Sequence, residues 1–204
     1  GENLTIVAGS AAYDNKNVGT GKTVAFTGFA LAGDAAANYK LIAQPTDTTA
    51  DITVKEITIS GAAVEASRIY DGTTDAKITN AGAPSVNYDG ENLKVAAGKA
   101  AYDNKNVGKG KAVTFTGFAL EGDAAANYKL TAQPEAVTAD ITVKEIKIVD
   151  AVVETSKIYD GSTDAKITEK GTFDGLIDGD KVDIVTGKAA YDDKNVGNGK
   201  TVTF

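Results

Sequence analysis

The sequence has 204 residues, of which 42% are hydrophobic and 24% are charged, a balance that favours a folded chain over a disordered one. The net charge of −7 argues against binding to nucleic acid phosphates, and no apolar run approaches the ~20 residues of a membrane span. Cys and His are absent, which excludes disulfides and removes the commonest general base and transition-metal ligand. We therefore predict a chain that is not an enzyme, binds no cofactor and contacts neither nucleic acid nor membrane.

The sequence repeats itself at a fixed distance of 89 residues. In chain order, the repeated motifs are GENL at Gly1 and Gly90, YDNKNVG at Tyr13 and Tyr102, DITVKEI at Asp51 and Asp140, and IYDG at Ile69 and Ile158. Residues 1–57 and 90–146 are identical at 45 of 57 positions. A unit of 89 residues is too long for a solenoid repeat but is large enough for a domain with its own core. The period therefore predicts tandem domains.

Within one period, apolar and polar residues alternate along short runs that are separated by Asp-Gly, Gly-Asp and Asn-Val-Gly turn signals. This pattern predicts strands, in chain order, at residues 57–66, 67–70, 75–79, 84–88, 93–101, 111–120, 128–133 and 137–144. Seven or eight short antiparallel strands in a domain of this size are typical of a sandwich. We predict an all-β chain of tandem immunoglobulin-like antiparallel β-sandwich repeats, arranged as an elongated rod.

One short helical turn is predicted at Gly122–Tyr128, where Asp123 can serve as the N-cap ahead of three alanines. Sandwich domains often have a tyrosine corner at such a place, with the hydroxyl group bonded to upstream backbone. We predict this role for Tyr128 and for Tyr39 in the equivalent position. The alternative is an ordinary half-buried tyrosine.

The joint between domains is predicted at Lys55–Glu56. If one continuous strand ran through this stretch, the side chains of Ile52 and Ile57 would point to opposite faces of the sheet. The buried face of the strand therefore changes here, which indicates that the chain leaves one hydrophobic core and enters the next. A β-bulge would give the same phase change. Because no Gly or Pro lies in this stretch, the joint is expected to be stiff. The predicted domains are a C-terminal part-repeat at 1–56, a complete repeat at 57–145 and the N-terminal part of the next repeat at 146–204, called below the first, second and third copies.

Two Tyr-Asp-Gly motifs are the most conspicuous signature in the chain, and they comprise Tyr70, Asp71, Gly72, Tyr159, Asp160 and Gly161. Asp-Gly is a strong tight-turn signal because Gly adopts positive φ without steric cost. We interpret these residues as a structural turn signature, and a binding signature is the alternative.

Two other motifs invite functional readings. The run Asp14–Asn17 gathers oxygen atoms that suit Ca²⁺, but it contains a lysine and has no EF-hand spacing, so a polar turn is the preferred interpretation. The GKGK run at Gly108–Lys111 lacks the context of a phosphate-binding loop, since a strand and not a helix follows it.

Three stretches resemble the YDG-type repeat of bacterial filamentous-haemagglutinin-like surface adhesins. They are YDNKNVGTGKTVAFTGFALAGDAAANYKL at Tyr13–Leu41, ADITVKE at Ala50–Glu56 and KIYDGSTDAKIT at Lys157–Thr168, and with their repeats the resemblance covers essentially the whole chain. The resemblance implies extracellular tandem β domains in a very long bacterial cell-surface protein. It implies no catalytic or ligand-binding residues.

The expected function is that of a structural stalk or spacer that projects a binding region from the cell, with neighbouring repeats of the same polypeptide as its partners. One alternative is a self-assembling extracellular filament, in which copies of the chain complement one another's strands head to tail, because a chain that opens within a repeat exposes strand edges. Another is a weak multivalent glycan- or protein-binding module that works by avidity. Its candidate contact residues are Tyr13, Tyr88, Tyr102 and Tyr191.

Overall fold

The structure, a computed structural model, describes residues 3–204. Strands dominate this part of the chain, and its only helical elements are two three-residue 3₁₀ turns. The prediction of an all-β chain is therefore confirmed. Within the same residues, no helix combines the length and the hydrophobicity that crossing a bilayer requires. The first two residues of the opening GENL motif lie outside the described residues.

The first copy contains five strands and one 3₁₀ turn. They are β1 (Thr5–Val7), β2 (Ser10–Tyr13), β3 (Gly19–Thr27), β4 (Ala30–Ala32), the turn Ala36–Asn38 and β5 (Thr48–Ile52). Strand β1 pairs with β4, and β2, β3 and β5 form an antiparallel sheet in that order. Strand β5 is thus an edge strand of its sheet.

The second copy is the richest in strands. They are β6 (Lys55–Ile57), which spans the predicted boundary with the first copy, β7 (Ile59–Val64), β8 (Ser67–Ile69), β9 (Asp75–Ala76), β10 (Ile78–Pro84), β11 (Lys94–Ala96), β12 (Lys99–Tyr102), β13 (Gly108–Thr116), β14 (Ala119–Glu121), the 3₁₀ turn Ala125–Asn127, β15 (Tyr128–Leu130) and β16 (Val137–Thr142). Antiparallel pairs join β7 to β10 and β11 to β14, while a five-stranded sheet has the order β8-β16-β13-β12-β9.

The third copy has shorter strands. They are β17 (Lys147–Val149), β18 (Val152–Val153), β19 (Asp164–Ala165), β20 (Ile167–Glu169), β21 (Thr172–Asp174), β22 (Ala189–Tyr191) and β23 (Val202–Thr203). Strand β17 pairs with β21 and β18 pairs with β20, while β19, β22 and β23 form a three-stranded antiparallel sheet.

The chain divides into two compact units, which do not follow the three copies. One unit comprises Gly1–Glu65, Ala76–Ala101 and Val113–Val137. The other comprises Ala66–Asp75, Tyr102–Ala112 and Thr138–Phe204. Each unit therefore contains residues of the second copy together with residues of one flanking copy.

Two strand pairs depart from the predicted antiparallel arrangement. Strands β15 and β6 are parallel, and so are β16 and β8. In both pairs the strands lie some 73 residues apart in sequence, with Asp140 opposite Ser67 and Tyr128 opposite Lys55. Local alternation predicts a strand but carries no information on the direction of a partner so far along the chain.

Glycines break two of the predicted strands. The run predicted at 93–101 is divided at Gly98, where a Cβ atom would lie 2.0 Å from the carbonyl oxygen of Thr116, so only Gly fits. The run predicted at 111–120 is divided at Gly117, whose φ is 72°. The strand predicted at 84–88 is also wrong, because β10 ends at Pro84 and the following residues form no strand.

Burial is greatest within the second copy. Most of the buried apolar side chains lie between Ile57 and Ile141, and one cluster joins Ile57 and Tyr128 to Leu93 and Ala124. Two of these repeat positions are much more exposed in a flanking copy. Ile57 is 3% exposed but Ile146 is 38% exposed, and Tyr128 is 8% exposed but Tyr39 is 53% exposed.

The predicted joint contains a break between strands. Strand β5 ends at Ile52 and β6 begins at Lys55, so Thr53 and Val54 separate them. In the next copy, β16 ends at Thr142 and no strand follows until Lys147. The domain limits given above remain a prediction.

Candidate functional site

The Tyr-Asp-Gly motif of the second copy forms a tight turn after β8. Gly72 has φ 81°, and the Asp71 carboxylate accepts hydrogen bonds from the Thr73 amide at 2.9 Å and the Thr73 hydroxyl at 2.8 Å. Arg68 forms an ion pair with the same carboxylate. The Arg68 guanidinium, helped by the Thr73 donors, lowers the pKa of Asp71 to about 2 although partial burial opposes it.

The motif of the third copy repeats this chemistry with lysine in place of arginine. Gly161 has φ 79°, and Asp160 accepts from the Ser162 amide at 2.8 Å. The Lys157 ammonium lies 2.9 Å from the Asp160 carboxylate, and chiefly this contact lowers the pKa of Asp160 to about 2. In both copies the aspartate carboxylate accepts a hydrogen bond from the backbone amide two residues later and forms an ion pair with a cationic side chain three residues earlier. The motif thus stabilises a turn with groups from within six residues of sequence.

The structure gives Tyr128 a different partner from the one predicted. Its hydroxyl group donates to the side-chain carboxylate of Glu91, whereas a tyrosine corner would use a backbone carbonyl. Burial and the Glu91 carboxylate together raise the pKa of Tyr128 to about 12. Tyr39 occupies the equivalent position in the first copy and is half exposed.

The predicted capping role of Asp123 is wrong. The helical turn is a 3₁₀ turn at Ala125–Asn127, and its N-cap residue is Ala124. Asp123 instead accepts a long hydrogen bond of 3.4 Å from the Asn92 side chain. Three alanines do not favour an α-helix strongly enough to extend a turn so short, because helix nucleation is costly.

A pairing of lysine with a carboxylate, which the sequence reading missed, joins the first and second copies. The Lys16 ammonium lies 2.9 Å from the Glu91 carboxylate, which Tyr128 also contacts. These two donors, Tyr128 first, lower the pKa of Glu91. Beside them, the Asn127 side-chain oxygen accepts from the Val18 amide at 2.9 Å. The Asp-Asn-Lys-Asn turn of the first copy and the residue after it therefore contact the second copy at Glu91 and Asn127.

The same pairing recurs 89 residues further along. Lys105 occupies the position of Lys16, and its ammonium lies 3.1 Å from the carboxylate of Asp180, which occupies the position of Glu91. The Tyr70 hydroxyl and then Lys105 lower the pKa of Asp180. The Lys105 ammonium also lies 5.9 Å from the centre of the Tyr70 ring, within cation–π range. The signal in the sequence is a lysine followed 75 residues later by an acidic residue, a pair of opposite charges that recurs 89 residues further along.

In the run Asp14–Asn17, the side-chain oxygen atoms of Asp14 and Asn15 accept hydrogen bonds from within the turn. The Asp14 carboxylate accepts from the Asn15 amide at 2.9 Å, and the Asn15 side chain accepts from the Asn17 amide at 3.0 Å. The Lys22 ammonium lies 2.8 Å from the Asp14 carboxylate and chiefly accounts for its lowered pKa. This arrangement is a polar turn closed by a lysine, as in the preferred interpretation of the motif. In the described part of the chain, no cluster of three or more acidic side chains suits a metal ion.

The four candidate contact tyrosines differ in exposure. Tyr102 is buried, with its ring under the Arg68 guanidinium at 5.1 Å, and its hydroxyl donates to the Asp140 carbonyl at 3.3 Å. Tyr13 and Tyr88 are exposed, and Tyr191 is half-buried. Because Tyr102 is buried, the four tyrosines do not form one exposed aromatic surface.

Comparison with known proteins assigns a family. The model of the YDG domain matches residues 1–50, 53–136 and 142–204. No curated protein and no solved structure matches the chain. Because the three matched segments cover far more than half of the sequence, the chain belongs to the YDG domain family.

Proposed function

We propose that the chain is a stalk segment of a large bacterial cell-surface adhesin, in which tandem immunoglobulin-like sandwich repeats form an elongated rod that carries a binding region away from the cell. The observation that carries this proposal is the repeated contact of Lys16 with Glu91 and of Lys105 with Asp180. Successive copies place a lysine and a carboxylate at the same repeat positions for this contact, so each added repeat can be oriented like the one before it.

The predicted joint is also held by ion pairs and backbone hydrogen bonds, in contrast to a flexible linker. Lys129 of the second copy forms an ion pair with Glu56 at 2.9 Å, next to the parallel pairing of β15 and β6. Within the second copy, the Thr131 amide and hydroxyl both donate to the carbonyl of Ile57, the first residue after the predicted joint, at 3.1 and 3.2 Å. A Gly/Ser linker, in contrast, behaves as a random coil. These contacts support a stalk in which each repeat is held in a fixed orientation relative to the repeat before it.

A non-enzymatic role is part of the proposal. The carboxylates with lowered pKa are engaged by lysine, arginine, tyrosine or backbone donors that hold turns and joints together. Paired charges of this kind are typical of structural networks, although perturbed pKa values also occur at catalytic sites. An extracellular location at the bacterial surface follows from the resemblance described above and from the proposed role.

The test varies the number of repeats between a membrane anchor and a binding module of known ligand. With a stalk, the distance at which cells capture ligand-coated beads through a polymer brush grows in equal steps with repeat number, and ligand choice stays the same. The matched control replaces the repeats with Gly/Ser segments of equal length, whose reach grows only as about 5–6 Å times the square root of residue number. If a single isolated repeat binds the bead ligand tightly, the spacer proposal fails and the weak-binding alternative gains support.

A further inference from the structure

The Tyr-Asp-Gly turn of the second copy lies against a residue of the third copy. A Cβ atom built on Gly72 would lie 2.8 Å from the Cγ2 methyl group of Ile177, a distance at which the two carbon atoms would clash. Because Cγ2 branches from Cβ, only a rotation about χ1 moves this methyl group aside, and branched side chains are stiff at that bond. Besides its φ of 81°, the glycine thus has a second reason to lack a side chain.

Ile177 begins a turn that ends in an acidic residue. The Asp180 amide donates to the Ile177 carbonyl at 3.1 Å, and Gly179 inside the turn has φ 86°. The Asp180 carboxylate lies 3.1 Å from the Lys105 ammonium, and the Tyr70 hydroxyl also interacts with it and lowers its pKa. This four-residue turn therefore presents an apolar side chain and a carboxylate to the second copy.

The three residues of the motif have different roles. Asp71 holds the turn together through the ion pair and hydrogen bonds described above. Tyr70 is fixed at its backbone, where its amide donates to the Thr142 carbonyl at 2.9 Å, and at its half-buried ring, which lies 5.9 Å from the Lys105 ammonium. The aspartate therefore acts within the turn, whereas Tyr70 and Gly72 contact the third copy.

The second copy contains a turn of the same form, 89 residues before Ile177–Asp180. The Glu91 amide donates to the Tyr88 carbonyl at 3.1 Å, and Gly90 inside the turn has φ 77°. The Glu91 carboxylate forms an ion pair with Lys16 of the preceding copy. Both turns have a large apolar or aromatic side chain first, Asp-Gly in the middle and an acidic residue last. A turn with this pattern is therefore a recurring element of the repeat.

We propose that Tyr70 and Gly72 form a docking site for the turn Ile177–Asp180, so that the Tyr-Asp-Gly motif joins one repeat to the next as well as shaping its own turn. Gly72 leaves room for the first side chain of the docked turn. The Tyr70 hydroxyl binds the carboxylate at its end, and Lys105 neutralises that charge. The inference rests on the stalk proposal and deepens it, because it names the residues through which successive repeats make contact.

The glycine contact is tested by a double-mutant cycle in urea unfolding of the 204-residue chain. Gly72→Ala and Gly161→Ala both place a side chain on a positive φ, but only the Cβ at Gly72 meets another residue. Gly72→Ala should therefore lower the urea midpoint more than Gly161→Ala does. The change Ile177→Ala, which removes the clashing methyl group, should abolish this excess and leave the loss from Gly161→Ala unaltered. A loss from Gly72→Ala that is the same with and without Ile177 overturns the docking of this turn on the glycine.

The tyrosine contact is tested by an NMR titration of the Asp180 side-chain carboxyl group. Tyr70→Phe should raise the pKa of Asp180, because the variant loses a hydroxyl group that stabilises the ionised carboxylate. The matched control is Tyr159→Phe, which removes the same hydroxyl group from the other motif and should leave the pKa of Asp180 unchanged. If Tyr70→Phe also leaves this pKa unchanged, the role of the tyrosine in docking is overturned.

These outcomes are distinguishable from a failure of the stalk proposal. Both measurements report contacts inside one compact unit, whereas the stalk proposal is tested by reach over many repeats. Coupling of Gly72 to Ile177, together with a reach that does not grow with repeat number, overturns the stalk and leaves the docking site in place. Absence of that coupling and an unchanged pKa of Asp180, together with a reach that grows in equal steps, overturn the docking site alone.

Discussion

The Lys16 ammonium lies 2.9 Å from the Glu91 carboxylate, 75 residues further along the chain, and Lys105 and Asp180 reproduce this contact one repeat later. Lysine and carboxylate belong to successive copies in each pair. An ion pair at the surface contributes little stability by itself. In both cases the ion pair lies next to a tyrosine hydroxyl and between two predicted copies, and we therefore propose that it helps to set how the copies join.

Reversing one charge of the second pair should weaken the joint. We expect Lys105→Glu to lower the thermal midpoint of the chain, because two carboxylates then face each other, and the added change Asp180→Lys to restore much of it. The loss should be larger at low salt than at high salt, because ions screen exposed charges. Thermal melts by circular dichroism provide the measurement.

The exposed residue Lys109 provides a control, since Lys109→Glu changes the net charge equally in the same segment. A midpoint that falls as much for Lys109→Glu as for Lys105→Glu would contradict the assignment, because the effect would then reflect total charge.

The repeat offers a matched test of where its core lies. Ile57 and Ile146 occupy the same repeat position, but Ile57 is buried against Leu93 and Tyr128 while Ile146 is partly exposed. Ile57→Ala should destabilise the chain by about 2–5 kcal/mol, whereas Ile146→Ala should stay close to the ~0.5 kcal/mol typical of surface positions. Urea unfolding followed by circular dichroism measures both. Equal losses would mean that the third copy has a core of its own at Ile146.

The Gly161 turn can be tested for its backbone requirement alone. Its φ is 79°, and no atom outside its immediate neighbours lies within 4 Å of a Cβ built there, so a substitution meets strain but no clash. We expect Gly161→Ala to cost about 1–2 kcal/mol and Gly161→Asn clearly less, because asparagine tolerates the left-handed conformation. Thermal unfolding of the two variants decides the matter. If alanine is tolerated as well as asparagine, the motif is retained for another reason.

Lowering the pH should remove the contribution of Asp71 and Asp160 to the free energy of unfolding. The pKa values of Asp71 and Asp160 are about 2 in the folded chain, below the ordinary 3.8, so the folded state binds fewer protons than the unfolded state between these values. Their stabilisation is complete above about pH 4 and is lost as the pH falls toward 2. The double variant Asp71→Asn with Asp160→Asn should therefore lose stability at neutral pH and show a flatter decline in this window. An unchanged acid decline in urea titrations would contradict the assigned ion pairs.

Local features of the fold were predictable, and distant ones were not. Alternation identified the strand at 137–144, which the structure has as Val137–Thr142, because one face of it is buried by Ala139 and Ile141. The direction of its partner Ser67–Ile69 was wrong, since pairing over some 70 residues leaves no local trace. The division at Gly98 depends on the approach of Thr116, which a single strand cannot reveal.

The candidate site was predictable to a similar extent. The Asp-Gly turns follow from the conformational freedom of Gly72 and Gly161, a property of single residues. A tyrosine corner predicts a backbone partner for the Tyr128 hydroxyl, which contacts Glu91 instead, because an expectation drawn from sandwich folds in general carries no information on a carboxylate 37 residues away. The contact of Lys16 with Glu91 can be predicted only by comparing the repeats with one another, since both have opposite charges at these two positions.

The most direct test of the stalk proposal is small-angle X-ray scattering on chains with two, four and six tandem copies of the 89-residue repeat. The account predicts a maximum dimension that rises by a constant increment per repeat, at least about 30 Å, the length of a nine-residue strand at ~3.3 Å per residue. A dimension that levels off with repeat number, as compact packing of repeats on one another would give, would contradict it.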